Sequence, residues 1–110
     1  MPDVILPVLD EAAALPGVLA GLPAGYRPIV VDNGSTDGSA EIARRYESDP
    51  RVRLFLHEGN EPVSRRFNQA IEAARGTYVV FLYSDDYFLP GKLQHQVGVL
   101  RSNPGFGVVY

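Results

Sequence analysis

The feature that most constrains the fold is an alternation of short apolar runs with longer amphipathic segments. The apolar runs predict five strands, at residues 4–9, 28–31, 52–56, 77–82 and 106–110. The segments between them have the length and apolar spacing of helices. Strands that alternate with helices predict βαβ units, in which helices cover both faces of a parallel sheet. We therefore predict a single three-layer α/β/α domain with a mainly parallel sheet.

The intervening segments predict four helices, which begin near Asp10, Asp37, Val63 and Pro90. Asp10 is the expected N-cap of the first helix, because a short polar side chain can accept a hydrogen bond from an exposed N–H of the first turn. Either Thr36 or Asp37 is expected to cap the second helix for the same reason. The expected core lies on the strands between these helices and includes Ile5, Val30, Val31, Val80 and Leu82.

The fourth predicted strand leads into a pair of acids. Its residues 79–82 are apolar without interruption, which predicts burial on both faces, and Ser84, Asp85 and Asp86 follow closely. Two adjacent carboxylates repel each other and need a cation or hydrogen-bond donors to stay ionised together. Carboxylate oxygens suit Mg²⁺ or Mn²⁺ that also holds substrate phosphates. The alternative is that the pair simply opens the turn before the next helix.

Polar residues follow three of the predicted strands, at residues 7–11, 32–35 and 84–86. Parallel strands bring their carboxyl ends to one edge of the sheet, and ligands of such sheets bind outside that edge, where the strand order reverses. The three segments therefore predict one ligand site.

Composition excludes several classes of protein. The chain has 110 residues, a net charge of -3 and no cysteine, which exclude a basic nucleic-acid-binding surface, disulfides and thiolate metal sites. No apolar run approaches the roughly 20 residues of a membrane span. We expect a cytoplasmic location, with binding at a membrane surface left open.

These motifs resemble the family 2 glycosyltransferases, which are inverting enzymes of the GT-A fold that use nucleotide-diphosphate sugars. Residues 4–11 resemble the family's opening strand and turn, and residues 30–37 resemble its Val-Asp-Asp-Gly-Ser-x-Asp turn, with Asn33 in place of the second acid. Residues 68–86 resemble the helix, turn and strand that lead to the metal motif, and residues 90–110 resemble the helix and strand after it. The resemblance implies a Rossmann-like nucleotide-sugar-binding half.

The resemblance also implies which residues form the site. The implied nucleotide-binding residues are Pro7, Val8, Leu9, Glu11, Asp32, Asn33, Arg66 and Asp85. Asp86, together with Asp85, is implied to bind Mn²⁺ or Mg²⁺, although Tyr83 replaces the first acid of the family's Asp-x-Asp-Asp pattern. A UDP-sugar is the expected donor, and other bases stay open.

Family catalytic domains are about twice this length, which is high for a single α/β domain. The resemblance therefore implies that the acceptor half and its general base lie outside this chain. The alternative is a non-catalytic α/β nucleotide-binding or scaffold module that associates through an unfinished sheet. The last predicted strand, residues 106–110, would leave an open edge, which predicts a two-fold homodimer; the alternative is a monomer whose last strand frays.

Overall fold

The computed structural model describes residues 2–82 and 91–109, and its elements alternate as the sequence predicts. The strands are β1 (Asp3–Val8), β2 (Arg27–Asn33), β3 (Arg53–His57) and β4 (Val79–Phe81). The helices are α1 (Leu15–Gly21), α2 (Ser39–Arg44), α3 (Val63–Ala73) and α4 (Lys92–Ser102). The strands form one sheet in the order β3-β2-β1-β4, and every neighbouring pair is parallel. The predicted α/β fold is confirmed.

Helices pack against both faces of the sheet, because the strand side chains alternate between two apolar clusters. One cluster includes Val4, Leu6 and Val30, and residues of α1 and α2 pack against it. The other includes Ile5 and Val31 with part of α3. The predicted core positions Ile5, Val30, Val31 and Leu82 are buried, and Val80 is partly buried.

Strand β4 differs from its prediction. It pairs with β1 over three residues and is the last strand of the sheet within the described part of the chain. Val79 is 39% exposed and Phe81 is 37% exposed, so the predicted burial on both faces is wrong. An apolar run signals that a strand packs against something, but it does not encode how many strands lie beside it. The ring of Phe81 packs against Phe67 of α3, with 4.9 Å between the ring centroids.

The predicted fifth strand is absent from residues 106–109, which form no strand in the structure. Phe106 is 56% exposed and Val108 is 68% exposed. Glycines at 105 and 107 weaken a strand here, because glycine loses more backbone entropy on ordering and has no side chain to pack. The homodimer was predicted from a strand edge at this position, so the structure gives that prediction no support.

The first helix begins later than predicted. It starts at Leu15, with Pro16 in its first turn, where a missing N–H costs nothing. Asp10 is therefore not its N-cap; it lies in the preceding turn with a positive φ of 55°. Within the described residues, no helix has the length and apolar character needed to cross a membrane.

Candidate functional site at the carboxyl edge of the sheet

The strand order places a switch point between β1 and β4. The chain passes from β1 outward through β2 to β3 and then returns to β4 on the other side of β1. The carbonyl of Ile5 accepts a hydrogen bond of 2.9 Å from the N–H of Leu82, where the pairing with β4 ends. The backbone of Pro7, two residues later, points to the same neighbouring strand, β4, but proline has no N–H to donate. Pairing of β1 with β2 continues to Val8. The two strands therefore part at Pro7, and ligands of open α/β sheets bind at such a point.

Asp32 lies at the carboxyl end of β2 and joins the loops after β1 and β2. Its side chain is 2% exposed, and its carboxylate accepts hydrogen bonds from the backbone N–H of Ser35, at 3.1 Å, and from the Ser35 hydroxyl. The same hydroxyl accepts a hydrogen bond of 2.9 Å from the N–H of Asp10. Ser35 thus connects the buried carboxylate to the neighbouring loop.

Asp10 makes a second connection between these loops. Its carboxylate oxygen Oδ1 accepts a hydrogen bond of 2.7 Å from the N–H of Thr36 and a longer one, of 3.4 Å, from the Thr36 hydroxyl. The left-handed backbone of Asp10 is a conformation that aspartate tolerates better than most residues. Asp10 therefore fixes the loop after β2 instead of capping a helix.

A third connection runs through Asp37 and Ser39. The Asp37 carboxylate accepts hydrogen bonds of 3.0 Å from the N–H groups of Ala12 and Ser39, and the Ser39 hydroxyl accepts one of 2.9 Å from Glu11. The N-cap position of α2 is Gly38, so the predicted cap at Thr36 or Asp37 is one or two residues early, although Asp37 does bond the first helical N–H. The hydrogen bond from the Ser39 hydroxyl, followed by the one from Ala12, lowers the pKa of Asp37 below its ordinary value.

Asn33, the last residue of β2, connects that strand to the loop before α3. Its Nδ2 donates to the carbonyl of Glu61 at 2.9 Å and to Oδ1 of Asn60 at 3.3 Å. Its Oδ1 accepts from the N–H of Glu61 at 3.1 Å and from Nε of Arg66 at 2.9 Å. A second guanidinium nitrogen of Arg66, Nη2, donates to the carbonyl of Gly59 at 2.9 Å.

Gly34 lets this loop approach β2 closely. Its φ is +90°, and a Cβ atom added there would lie 3.0 Å from the carbonyl carbon of Gly59 and 3.1 Å from backbone atoms of Glu58 and Asn60. No side chain fits in that space without moving the backbone. The loop at residues 58–61 therefore packs directly against the turn after β2.

The structure brings most of the predicted nucleotide-binding residues to one edge of the sheet. Pro7 and Val8 end β1, Asp32 and Asn33 end β2, Leu9 and Glu11 lie in the loop that contacts residues 35–39, and Arg66 contacts Asn33. Val8 is 2% exposed, so it is buried at this edge.

Asp85 and Asp86 lie outside the described residues. Within residues 2–82 and 91–109, no group of three or more histidine, aspartate or glutamate side chains is placed to hold a metal ion. The prediction of a metal at Asp85 and Asp86 therefore stays a prediction.

Sequence reasoning missed the residues that clamp the loops together. They are Asp10, Ser35, Asp37 and Ser39. The density of serine, threonine and aspartate at positions 32–39 was the available signal, because these side chains bond readily to nearby backbone groups. Their partners 25 to 28 residues away are not visible in such a pattern.

An apolar pocket lies away from this polar edge. It is lined by Tyr26 and Tyr78, which precede the amino ends of β2 and β4, and by Leu93, Val97 and Leu100 of α4. The switch point and the pocket are thus at opposite ends of the strands. The polar groups needed to orient a ligand converge at the carboxyl edge, and we therefore assign the candidate site there.

Comparison with known proteins agrees with the fold and extends over the whole chain. The model of glycosyl transferase family 2 matches residues 3–110. An uncharacterized glycosyltransferase of Haemophilus influenzae is 35% identical over 106 residues, which are 92% of this chain and 42% of the relative. The chain thus spans less than half the length of that relative.

Two solved structures have the same fold. TarS 1-349 of S. aureus superposes with a TM-score of 0.77 at 23% identity, over 99% of this chain and 38% of TarS. The mannosyltransferase PcManGT from Pyrobaculum calidifontis, solved in complex with GDP-Man and Mn²⁺, superposes with a TM-score of 0.73 at 29% identity. That match covers 90% of this chain and 32% of PcManGT.

Proposed function

The chain belongs to glycosyl transferase family 2, and we propose that it binds the nucleotide diphosphate of a sugar donor, a UDP-sugar being the first candidate. The observation that carries the proposal is the convergence of the loops after β1 and β2 around Asp32 at the switch point of the sheet. Such a crevice is where open α/β sheets bind nucleotides. We further propose that transfer of the sugar to an acceptor uses acceptor-binding residues and a general base in the part of longer family members that this chain does not match.

The proposed nucleotide site is formed by two turns and one arginine. Residues 7–9 present backbone groups at the end of β1, and Asp32 with Glu11 supplies carboxylates for the base and ribose. Arg66 is a nearby cation, and its side chain is 11% exposed. A guanidinium forms bidentate hydrogen bonds with phosphate oxygens, which suits an anionic ligand. The complex of PcManGT with GDP-Man makes a guanosine nucleotide the second candidate.

We propose that Asp85 and Asp86 hold Mn²⁺ or Mg²⁺, with Asp86 as the principal ligand. They follow β4 in the sequence, and β4 is one of the two strands that border the switch point. PcManGT was solved with Mn²⁺. When bound, the ion would neutralise diphosphate charge and so stabilise the leaving nucleoside diphosphate. The residues of this chain would fix the position of the diphosphate, with the carboxylates on the metal side and Arg66 as a further positive charge.

Calorimetric titration of the chain with UDP and with GDP, each with and without Mn²⁺, tests the proposal. Asp32→Ala should weaken binding with or without metal, whereas Asp86→Ala should weaken only the metal-dependent part. Asp49→Ala is the matched control, because Asp49 pairs with Arg51 in the turn before β3 and should leave binding unchanged. A chain that is folded by circular dichroism and binds neither nucleotide at millimolar concentration would refute the proposal and favour the scaffold alternative.

A further inference from the structure

The carboxamide of Asn33 is fully occupied by protein groups. Asn33 is 6% exposed. Its two N–H groups donate to Glu61 and Asn60, and its oxygen accepts from Glu61 and Arg66. An amide offers two donors and two acceptor lone pairs, so these four bonds use its whole capacity. The Asn33 side chain therefore has no hydrogen-bonding group left for a ligand, in contrast to the direct nucleotide contact that the family resemblance implies.

The backbone of Glu61 determines which residue type fits at position 33. Its carbonyl can only accept and its N–H can only donate, so they require a donor and an acceptor side by side on the partner. A carboxamide has both, whereas a carboxylate would place an oxygen 2.9 Å from the Glu61 carbonyl oxygen. The family pattern has an acid at this position, so the loop at 58–61 is matched to the asparagine of this chain.

Arg66 is held in place mainly by neutral oxygens. Nε donates to Asn33 and Nη2 to the Gly59 carbonyl, both at 2.9 Å, while the nearest described carboxylate, Glu61, is 3.9 Å from Nη1. Neutral acceptors orient a guanidinium without cancelling its charge. A carboxylate at position 33 would form a much closer ion pair with Arg66 than the one that Glu61 makes at 3.9 Å, since opposite charges at about 2.9 Å attract strongly.

We propose that Asn33 is a positioning residue: it fixes Arg66 and the loop at 58–61 through its carboxamide and leaves the charge of Arg66 available to an anionic ligand. The part of this proposal that concerns the ligand rests on the proposed nucleotide-binding function, whereas the positioning of Arg66 does not. Asn33 acts through Arg66 and touches no substrate.

Hydrogen exchange measured by NMR on the ligand-free chain tests the positioning. The N–H of Glu61 and the Nε–H of Arg66 should exchange slowly in the wild type. In Asn33→Ala both should exchange at least about tenfold faster, because each loses its acceptor. In Asn33→Asp the Glu61 N–H should exchange faster while the Arg66 Nε–H stays slow. Unchanged exchange in both variants would overturn the proposal, and the aspartate variant decides if the alanine variant does not fold.

Asn68→Asp is the matched control, because it makes the same chemical change at an exposed position of α3, two residues from Arg66. It adds the same negative charge to the helix that carries Arg66, on a different face, and leaves the carboxamide of Asn33 in place. Exchange at Glu61 should therefore stay as in the wild type. Faster exchange at Glu61 in this control would mean that charge alone loosens the loop, and would overturn the role assigned to Asn33.

A double-mutant cycle with UDP and Mn²⁺ tests the role toward the ligand. Asn33→Ala and Asn33→Asp should each weaken UDP binding about tenfold, the equivalent of one hydrogen bond to a charged group. In an Arg66→Ala background Asn33→Ala should have less than about a twofold effect, since the guanidinium through which Asn33 acts is gone. Equal effects in both backgrounds would overturn the inference. If the wild type binds no nucleotide, the proposed function fails, and the exchange result still decides whether Asn33 positions Arg66.

Discussion

Gly34→Ala should be a severely destabilising substitution, because the site restricts both the backbone and the space beside it. An L-residue at a φ of +90° costs about 1–2 kcal/mol in backbone strain. The new Cβ would also lie 3.0–3.1 Å from backbone atoms of residues 58–60, which must shift. Overpacking of this kind costs about 1–3 kcal/mol. The expected loss is about 2–5 kcal/mol from a total stability of roughly 5–15 kcal/mol.

Substitutions at two other glycines measure the backbone strain separately from the overpacking. Gly38 has a φ of +91°, but the nearest atom to an added Cβ is the flexible Glu41 carboxylate at 3.9 Å. Gly38→Ala should therefore cost only the backbone part, about 1–2 kcal/mol. Gly17 lies inside α1 with nothing within 4 Å of an added Cβ, so Gly17→Ala should stabilise the chain by about 0.5–1 kcal/mol.

Urea unfolding and thermal unfolding, both followed by far-ultraviolet circular dichroism, measure the effect of all three substitutions on stability. For a chain of this length, 1 kcal/mol corresponds to about 4 °C in Tm, so Gly34→Ala should lower Tm by about 8–20 °C. If Gly34→Ala costs no more than Gly38→Ala, then the close approach of the loop at 58–60 contributes nothing and the reasoning is refuted. The rank order of the three variants is the decisive result, since it does not depend on the absolute stability.

Two further predictions concern aspartates outside the proposed metal site. Asp3→Ala should reduce the free energy of unfolding by about 2–4 kcal/mol, because it removes the acceptor of the N–H groups of residues 75 and 76 and the carboxylate that pairs with Arg27; a loss below about 1 kcal/mol in urea unfolding would contradict this. The lowered pKa of Asp37 means that its stabilising contribution is complete above its ordinary pKa of 3.8 and disappears as the pH falls through the lowered value. The stability difference between wild type and Asp37→Asn should therefore shrink on acidification below about pH 4, and a difference independent of pH would disprove the linkage.

The first four strands and the position of Asp32 could be predicted because the relevant pattern is local. Residues 28–31 are apolar, and the change to Asp32 and Asn33 marks the edge where a buried strand reaches solvent-accessible loops. The order of helices and strands follows from the same kind of pattern, and it restricts the fold to a parallel sheet covered by helices. The predicted convergence of the first two polar segments is confirmed by the contacts between Asp10, Ser35 and Asp32.

Other features could not be predicted because they depend on contacts between distant parts of the chain. Asp10 has the residue type and position of a helix cap, but its carboxylate bonds Thr36, which is 26 residues away. The sequence shows that Asn33 departs from the family pattern, but its structural role depends on contacts with Glu61, in a different loop, and with Arg66 of α3. The exposure of Phe81 depends on the number of strands beside it. Propensity and periodicity carry no information about any of these.

Two buried aspartates at opposite edges of the sheet differ in how the protein holds their carboxylates. Asp3 and Asp32 are both 2% exposed. At the amino edge, the carboxylate of Asp3 pairs with the guanidinium of Arg27 at 2.9 Å, so its charge is neutralised within the protein. At the carboxyl edge, the carboxylate of Asp32 accepts hydrogen bonds from Ser35, and no cation among the described residues forms an ion pair with it. Asp32 is thus held by neutral donors without a cation partner, which fits the proposal that it takes part in binding the sugar donor at the switch point.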